Sequence, residues 1–335
     1  MIDPASLAPA VAVAARAQPE RLTNIEGWHE HIPFAFALIA LARPSVLVEL
    51  GTHKGDSFCA FCQAVAELGA GTRCFAVDTW QGDPHAGIYG EEVLAELRRH
   101  VEPRYARFAT LMPMLFDEAL ARFADGSIDG LHIDGLHTEE AVRHDFETWL
   151  PKMSPCGVVL FHDTRVEREG FGVRKVWQEV AARYPNFEFF HGNGLGVLLV
   201  GATPPAALLE WCRAEAGAQE TLRAVFRKFG ERVRIGRHLE LYQSANAELW
   251  KRTQQAEATL DGAVRQLADT QKQVGELCLQ VGDARTEILR LGDLVAAWEQ
   301  RAARAEAELA KVLSSRAWRA TAPLRRVAAW LRRVA

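Results

Sequence analysis

Four short apolar runs in this chain each end in an acid: Val46-Leu47-Val48-Glu49, Phe75-Ala76-Val77-Asp78, Leu131-His132-Ile133-Asp134 and Val158-Val159-Leu160-Phe161-His162-Asp163. Runs of that length read as buried strands, and helical patterns fill the intervals between them. Strand alternating with helix is the grammar of a parallel sheet with helices on both faces. Ligands of open α/β sheets bind outside the carboxyl ends of the strands, so the four acids are expected to converge on one crevice. The first run continues as Gly51-Thr52-His53-Lys54-Gly55-Asp56-Ser57, a Gly-x-x-x-Gly between a strand and the polar start of a helix. Gly51 lets the chain turn tightly and lets a ligand approach the backbone, and the next helix points its N-terminus at that ligand.

A helix is expected at 25–41, with Trp28, Ile32, Phe36 and Ile39 on roughly one face, and Pro44 separates it from the first strand. The expected series continues with strand 45–50, helix 56–68, strand 73–78, a Gly-rich loop to about Gly90, helix 91–100, strand 106–111 and helix 115–124. Strand 128–133, helix 138–149, strand 157–161 and helix 172–183 follow, then a hairpin around Gly192-Asn193-Gly194 that gives the sheet an antiparallel edge. Beyond Pro204-Pro205 the pattern changes. Alternating steps of three and four from Leu239 to Val312 meet apolar residues, broken only by Asn246, Thr253 and Thr270. A seven-residue repeat sustained this far predicts a left-handed coiled coil about 110 Å long at 1.5 Å per residue. A lone rod exposing such a stripe is unstable in water, so self-association between chains is expected; a helix folded back on the globular part is the alternative. The expected division is an N-terminal helical segment (1–44), a ligand-binding domain (45–202), a helical linker (203–238), the coiled coil (239–313) and a tail (314–335).

The net charge of −4 hides an asymmetry, because the tail holds six arginines and no acid. The remainder is therefore acidic, which argues against a general nucleic-acid binder. No apolar stretch approaches the roughly 20 residues of a membrane span. The Ala/Val run near the start lacks the basic flank of a signal peptide. Cys59 and Cys62 lie inside the helix after Gly55 with no second pair spaced for zinc, so packed thiols in a reducing cytoplasm are expected.

The series Glu49-Leu50-Gly51-x-x-x-Gly55-x-Ser57, then Asp78, Asp134 and Asp163 at strand ends, resembles the class I S-adenosylmethionine-dependent methyltransferases. Within them it is most similar to the metal-assisted O-methyltransferases of the catechol type and the bacterial sugar O-methyltransferases. The resemblance covers about residues 28–201. It implies a doubly wound, mostly parallel seven-stranded α/β sheet that binds S-adenosyl-L-methionine. Gly51, Thr52, His53 and Gly55 would pass under its methionine part, Glu49 and Ser57 would hold the ammonium and carboxylate, and Asp78 would accept both ribose hydroxyls. The chain departs from the family at the adenine edge, where Met112-Pro113-Met114 stands in place of a small polar or acidic residue.

The same resemblance makes Asp134 and Asp163 ligands of Mg2+ or another divalent cation, with Thr164 where relatives often carry an amide or an acid. His137 is then the base beside the acceptor hydroxyl, while Asp134 serves either as this ligand or only as a cap of the helix starting near Thr138. His132 is expected to be a packed core histidine, and His162 to support the ligands more than to ligate. The loop 80–89 is expected to act as a lid bordering the substrate with Asp83 and His85. Arg165, Arg168 and Lys175 either meet an anionic part of the substrate or are solvated.

The tail, Ser315-Arg316-Ala317-Trp318-Arg319-Ala320-Thr321-Ala322-Pro323-Leu324-Arg325, resembles a short element at the ends of coiled-coil segments in bacterial surface-polysaccharide assembly proteins, often beside glycosyltransferases. A basic segment with Trp318 and Trp330 suits an anionic membrane surface or a docking partner. Together these features imply a cytoplasmic methyltransferase, peripheral at the inner face of the cell membrane, that acts on a sugar hydroxyl of a surface glycan. The rival from another class is a scaffold whose domain only binds a ligand while the rod organises a glycan-assembly complex. A nicotinamide enzyme is disfavoured, because no G-x-G-x-x-G follows the first strand.

Overall fold

The structure, a computed structural model, describes residues 4–266 and 271–314. Its elements in chain order are α1 (Pro4–Arg16), a 3-10 turn (Glu26–His31), α2 (Ile32–Ala42), β1 (Val46–Leu50), α3 (Asp56–Leu68), β2 (Arg73–Asp78), β3 (Gly82–Asp83) and β4 (Gly87–Ile88). There follow α4 (Glu91–Tyr105), β5 (Ala109–Pro113), α5 (Phe116–Leu120), β6 (Ile128–Ile133), α6 (Glu139–Trp149), β7 (Met153–His162), α7 (Val173–Ala181), β8 (Asn186–Phe189) and β9 (Leu195–Leu199). Three helices close the described chain: α8 (Ala206–Arg213), α9 (Ala216–Gln266) and α10 (Gln271–Ser314). Two compact units result, Met1–Val233 and Arg234–Leu313.

In the first unit seven strands form one sheet in the order β5-β2-β1-β6-β7-β9-β8. The five strands from β5 to β7 run parallel, and β9 lies antiparallel between β7 and β8. Strand order reverses between β1 and β6, which places the ligand crevice at their carboxyl ends. Side chains alternate across β1. Val46, Val48 and Leu50 join Phe146, Trp149, Phe161 and Trp177 in the core under α5, α6 and α7. Glu49 therefore faces the opposite layer, where Phe58 and Phe61 of α3 are fully buried. Burial of each such aromatic is worth roughly 1.5–3 kcal/mol.

Several expected boundaries move for identifiable reasons. The helix expected at 25–41 divides at His31, because Pro33 lacks an N–H to bond backwards and so sits in the first turn of a new helix. α4 runs through Tyr105, since Val93, Leu97, Val101 and Tyr105 are buried at four-residue spacing, and this displaces β5 to Ala109–Pro113. The Gly-rich loop holds the short ribbon β3–β4, whose turn is fixed by Asp83 Oδ1 accepting from the backbone N–H of His85 (2.6 Å) and Ala86 (2.8 Å).

In the second unit the Tyr242 hydroxyl donates to the Leu291 carbonyl at 2.6 Å, and the His238 ring meets Trp298 edge-on at 5.3 Å. Numbers rise along one helix as they fall along the other, so the two helices pair antiparallel within one chain. Within the coiled coil expected over 239–313, α9 is described to Gln266 and α10 from Gln271, and residues 267–270 lie outside the described residues. Of the expected seam, Leu277, Val281, Ala284, Ile288, Leu291, Val295, Trp298, Ala302 and Ala305 on α10 are half-buried, while Asn246 and Ala256 on α9 are exposed. The basic tail lies outside the described residues from Ser315 onward. Among the described residues no helix is long and apolar enough to cross a membrane.

Candidate active site

The turn after β1 is set by backbone approach. Gly51 has φ +86°, its N–H donates to the Val77 carbonyl at 2.9 Å, and a Cβ there would lie 2.2 Å from the Asp134 carbonyl oxygen. Only glycine lets the ends of β1, β2 and β6 meet this closely. The turn then wraps Asp78, whose Oδ2 accepts from the N–H groups of Thr52 (2.9 Å) and His53 (2.8 Å), while Oδ1 accepts from Trp80 N–H at 2.7 Å. A carboxylate has about four acceptor positions, so Asp78 keeps capacity beyond these three.

A cavity of about 480 Å³ opens over this turn, a volume within the usual range for small-molecule sites. Gly51, Thr52, His53, Gly55, Ser57, Asp78, Asp134, His137 and Asp163 of the expected set line it. Glu49 and Thr164 do not. Glu49 is wholly buried beneath the floor, where Oε2 accepts from His132 Nδ1 at 2.9 Å and Trp28 Nε1–H donates to His132 Nε2 at 3.1 Å. Burial pushes its carboxyl up, against the opposing bond to His132. Its carboxylate thus stays below the cavity wall, engaged by His132, with Oε1 buried and without a partner. Thr52 Oγ1 is buried without a partner in the cavity wall, a polar atom placed for a ligand.

Four charged side chains meet at the ends of β6 and β7. His162 Nδ1 lies 3.1 Å from Asp134 Oδ1 and 3.4 Å from Asp163 Oδ1. His137 Nε2 lies 2.9 Å from Asp163 Oδ2 and 3.6 Å from Asp134 Oδ1. Burial works against the charge of His137, but its hydrogen bonds to Asp134 and Asp163 outweigh that and push the ring up to about 10. Burial likewise opposes the His162 cation, and the charges of Asp134 and Asp163 raise it to about 9. Desolvation disfavours the Asp134 anion, yet the His162 charge and the bonds from both histidines hold its carboxyl well below the usual range. In this arrangement His137 carries its proton at neutral pH, and it offers the cavity a cation.

Asp134, His162 and Asp163 each present a ligand atom within 4.8 Å of the others. Thr164 does not line the cavity; it is fully buried, with Oγ1 near Gly194. His162, expected to support the ligands, stands with the two acids in that group, while Thr164 stays outside the cavity wall. Asp163 holds φ +60°, an uncommon conformation for a residue with a side chain, and this bends the chain so that 162 and 163 both reach the cluster.

Sequence reasoning missed much of the wall. Ile25, Gly27 and Trp28 cover the turn from the N-terminal side, held by Thr23 on Asp56 (backbone N–H 2.7 Å, hydroxyl 2.5 Å) and by Arg21 Nε on the Lys54 carbonyl at 2.8 Å. Phe171 and Asn193 complete the far side. Gly27 and Trp28 belong to the 3-10 turn and the others to loops, and their roles at the cavity arise only from tertiary packing.

Residues 48–164 match a family model described as a methyltransferase domain. The uncharacterized protein y4gI of Sinorhizobium fredii is 49% identical over 184 residues, 55% of this chain and 20% of that protein. The chain thus spans about a fifth of the length of that curated relative. Among solved structures, the O-methyltransferase TomG from Streptomyces achromogenes, in complex with SAM, aligns at TM-score 0.39 and 16% identity over 57% of this chain and 89% of that one. An O-methyltransferase from Bacillus cereus, in complex with SAH, aligns at TM-score 0.39 and 15% identity over 58% and 90%.

Beneath the Asp134–His137 turn lies Asp145 of α6, whose Oδ2 would be 3.6 Å from a Cβ on Gly135. Burial pushes its carboxyl up to about 7, above its value near 4 in an unfolded chain. A raised acid stabilises the fold fully below pH 4 and loses that contribution as pH rises through 7. Unfolding stability is expected to fall by roughly 2–4 kcal/mol across this window on that account. Urea titrations of Asp145→Asn should show the decline flattened; an unchanged decline contradicts the assignment.

Proposed function

We propose that this chain transfers the methyl group of S-adenosyl-L-methionine to a hydroxyl oxygen, the acceptor being a sugar of a cell-surface glycan or its precursor. The observation that carries this reading is the meeting, in one cavity, of the Gly51–Gly55 turn, Asp78 and the Asp134–His137–Asp163 group. The match of residues 48–164 to a methyltransferase-domain family supports it independently.

When bound, S-adenosyl-L-methionine supplies an electrophilic methyl group, and a divalent cation supplies positive charge to an acceptor oxygen. The residues fit both. Thr52 Oγ1 is an unpartnered buried hydroxyl in the cofactor wall, and Asp78 retains acceptor capacity for a ribose diol. Asp134, His162 and Asp163 would hold the cation. Two carboxylates with an imidazole suit a metal that accepts nitrogen as readily as oxygen, such as Mn2+ or Fe2+, more than Mg2+. Leu115 and Phe116, which line the cavity after β5, would pack on the adenine where relatives place a polar group.

Radiolabelled methyl transfer to a panel of glycosides tests the reading. Wild-type chain is expected to label a glycoside and lose that activity in excess chelator, and Asp134→Asn should lower transfer at least about 10-fold. Absence of labelling on every glycoside, with labelling of a catechol instead, contradicts the sugar acceptor.

We further infer that Arg234–Leu313 joins chains into a homo-oligomer. A pair of helices covers its own seam incompletely, as the half-buried row from Leu277 to Ala305 illustrates, and a second pair completes it. The basic tail would then bring several arginine-rich segments to one membrane surface, or to glycosyltransferases of glycan assembly. Sedimentation of the full chain should give a mass above that of one chain; a monomer at micromolar concentration contradicts the association.

A further inference from the structure

The lid residue His85 carries an arrangement that the reading above leaves unused. His137 stacks on Phe171 with centroids 4.7 Å apart and planes 10° from parallel. His85 stacks on the same ring at 4.7 Å and 26°, and the two imidazoles are 5.6 Å from each other. Rings on opposite faces of Phe171 would be separated by two stacking distances, about 7 Å or more at 3.5 Å each. The two histidines therefore lie side by side on one face of Phe171, and both line the cavity.

Each ring keeps one buried nitrogen, Nδ1, without a hydrogen-bond partner. His137 has its other nitrogen engaged by Asp163 at 2.9 Å. A buried polar atom left unpaired costs about 1–3 kcal/mol, so each of these nitrogens, on rings that lie side by side, marks a place for a group that can satisfy it. A hydroxyl is such a group, because it donates one hydrogen bond and accepts others. The lid holds His85 there through its backbone, by the bonds of Asp83 to the His85 and Ala86 N–H groups, leaving the ring free for chemistry.

We propose that His85 is a catalytic residue that contacts the acceptor hydroxyl beside His137 and takes its proton. The proposal rests on the methyltransferase reading. The acceptor O–H bond breaks with its proton passing to His85 Nδ1 and its electron pair staying on oxygen. That pair forms the new O–C bond as the S–C bond breaks, and the S–C electrons return to sulfur. One positive charge leaves the sulfonium and one appears on His85. Phe171 is the positioning residue that keeps both rings in register.

The test uses the full chain with S-adenosylhomocysteine bound and methyl α-glucopyranoside as the hydroxyl probe. Long-range proton–nitrogen NMR of the histidine side chains should show the glycoside shifting the Nδ1 signals of both His85 and His137. His85→Gln should bind S-adenosylhomocysteine within about 2-fold of wild type. It should slow methyl transfer by about 100-fold, the lower end for a lost proton acceptor. Added imidazole should restore part of the rate in His85→Ala, a rescue that a merely structural role would not give. No change at His85 Nδ1 on adding glycoside, or full transfer by His85→Gln, overturns the proposal. Failure of wild type to bind S-adenosylhomocysteine sinks the methyltransferase reading itself, and the proposal with it.

Discussion

The approach of Gly51 to the Asp134 carbonyl is the contact on which the site depends. A side chain at 51 would collide with the backbone that follows β6, and the two strand ends would have to separate. With glycine there, the turn that follows β1 lies against the turn that carries Asp134 and His137. The same turn points the N–H groups of Thr52 and His53 at Asp78, so three strand ends are fixed by one backbone conformation. The cavity is built on elements and short turns, and this geometry limits how far its polar groups can drift.

Beside that rigid corner stands a charge cluster of opposite character. Two carboxylates and two histidines share this volume; burial opposes the charges of Asp134, His137 and His162, and their neighbours in the cluster hold those three ionised. Such a cluster is satisfied only as a set. A cation that took the place of the histidine protons would keep the balance of charge, and this makes Asp134, His162 and Asp163 a plausible donor group on chemical grounds.

The sheet and its acids were legible in the sequence because strand and helix alternate in apolar runs whose lengths leave little choice. Gly51, Gly55 and Asp78 were legible because one turn demands them. The partner of Glu49 was not legible because a motif position says nothing of parity, and alternation along β1 sets its carboxylate beside His132. At the end of β7 Asp163 takes a positive φ that the sequence does not announce, and His162 and Asp163 line the cavity while Thr164 does not. Trp28 and Asn193 were legible as parts of a helical face and a hairpin turn but not as cavity wall, and Phe171 was not legible at all, since these segments meet the site only through tertiary packing. In the second unit the seven-residue repeat coincides with a half-buried row along α10 but not at Asn246 and Ala256 of α9, and periodicity carries no information on which helix covers the row.

The central claim is that the crevice between Gly51 and Asp78 binds S-adenosyl-L-methionine. Calorimetric titration of S-adenosylhomocysteine into the full chain tests it most directly. The account predicts one site per chain, weakened by about 1.5–3 kcal/mol in Asp78→Ala, the range for hydrogen bonds to a charged group. No binding to wild type, or equal affinity in wild type and Asp78→Ala, would contradict it.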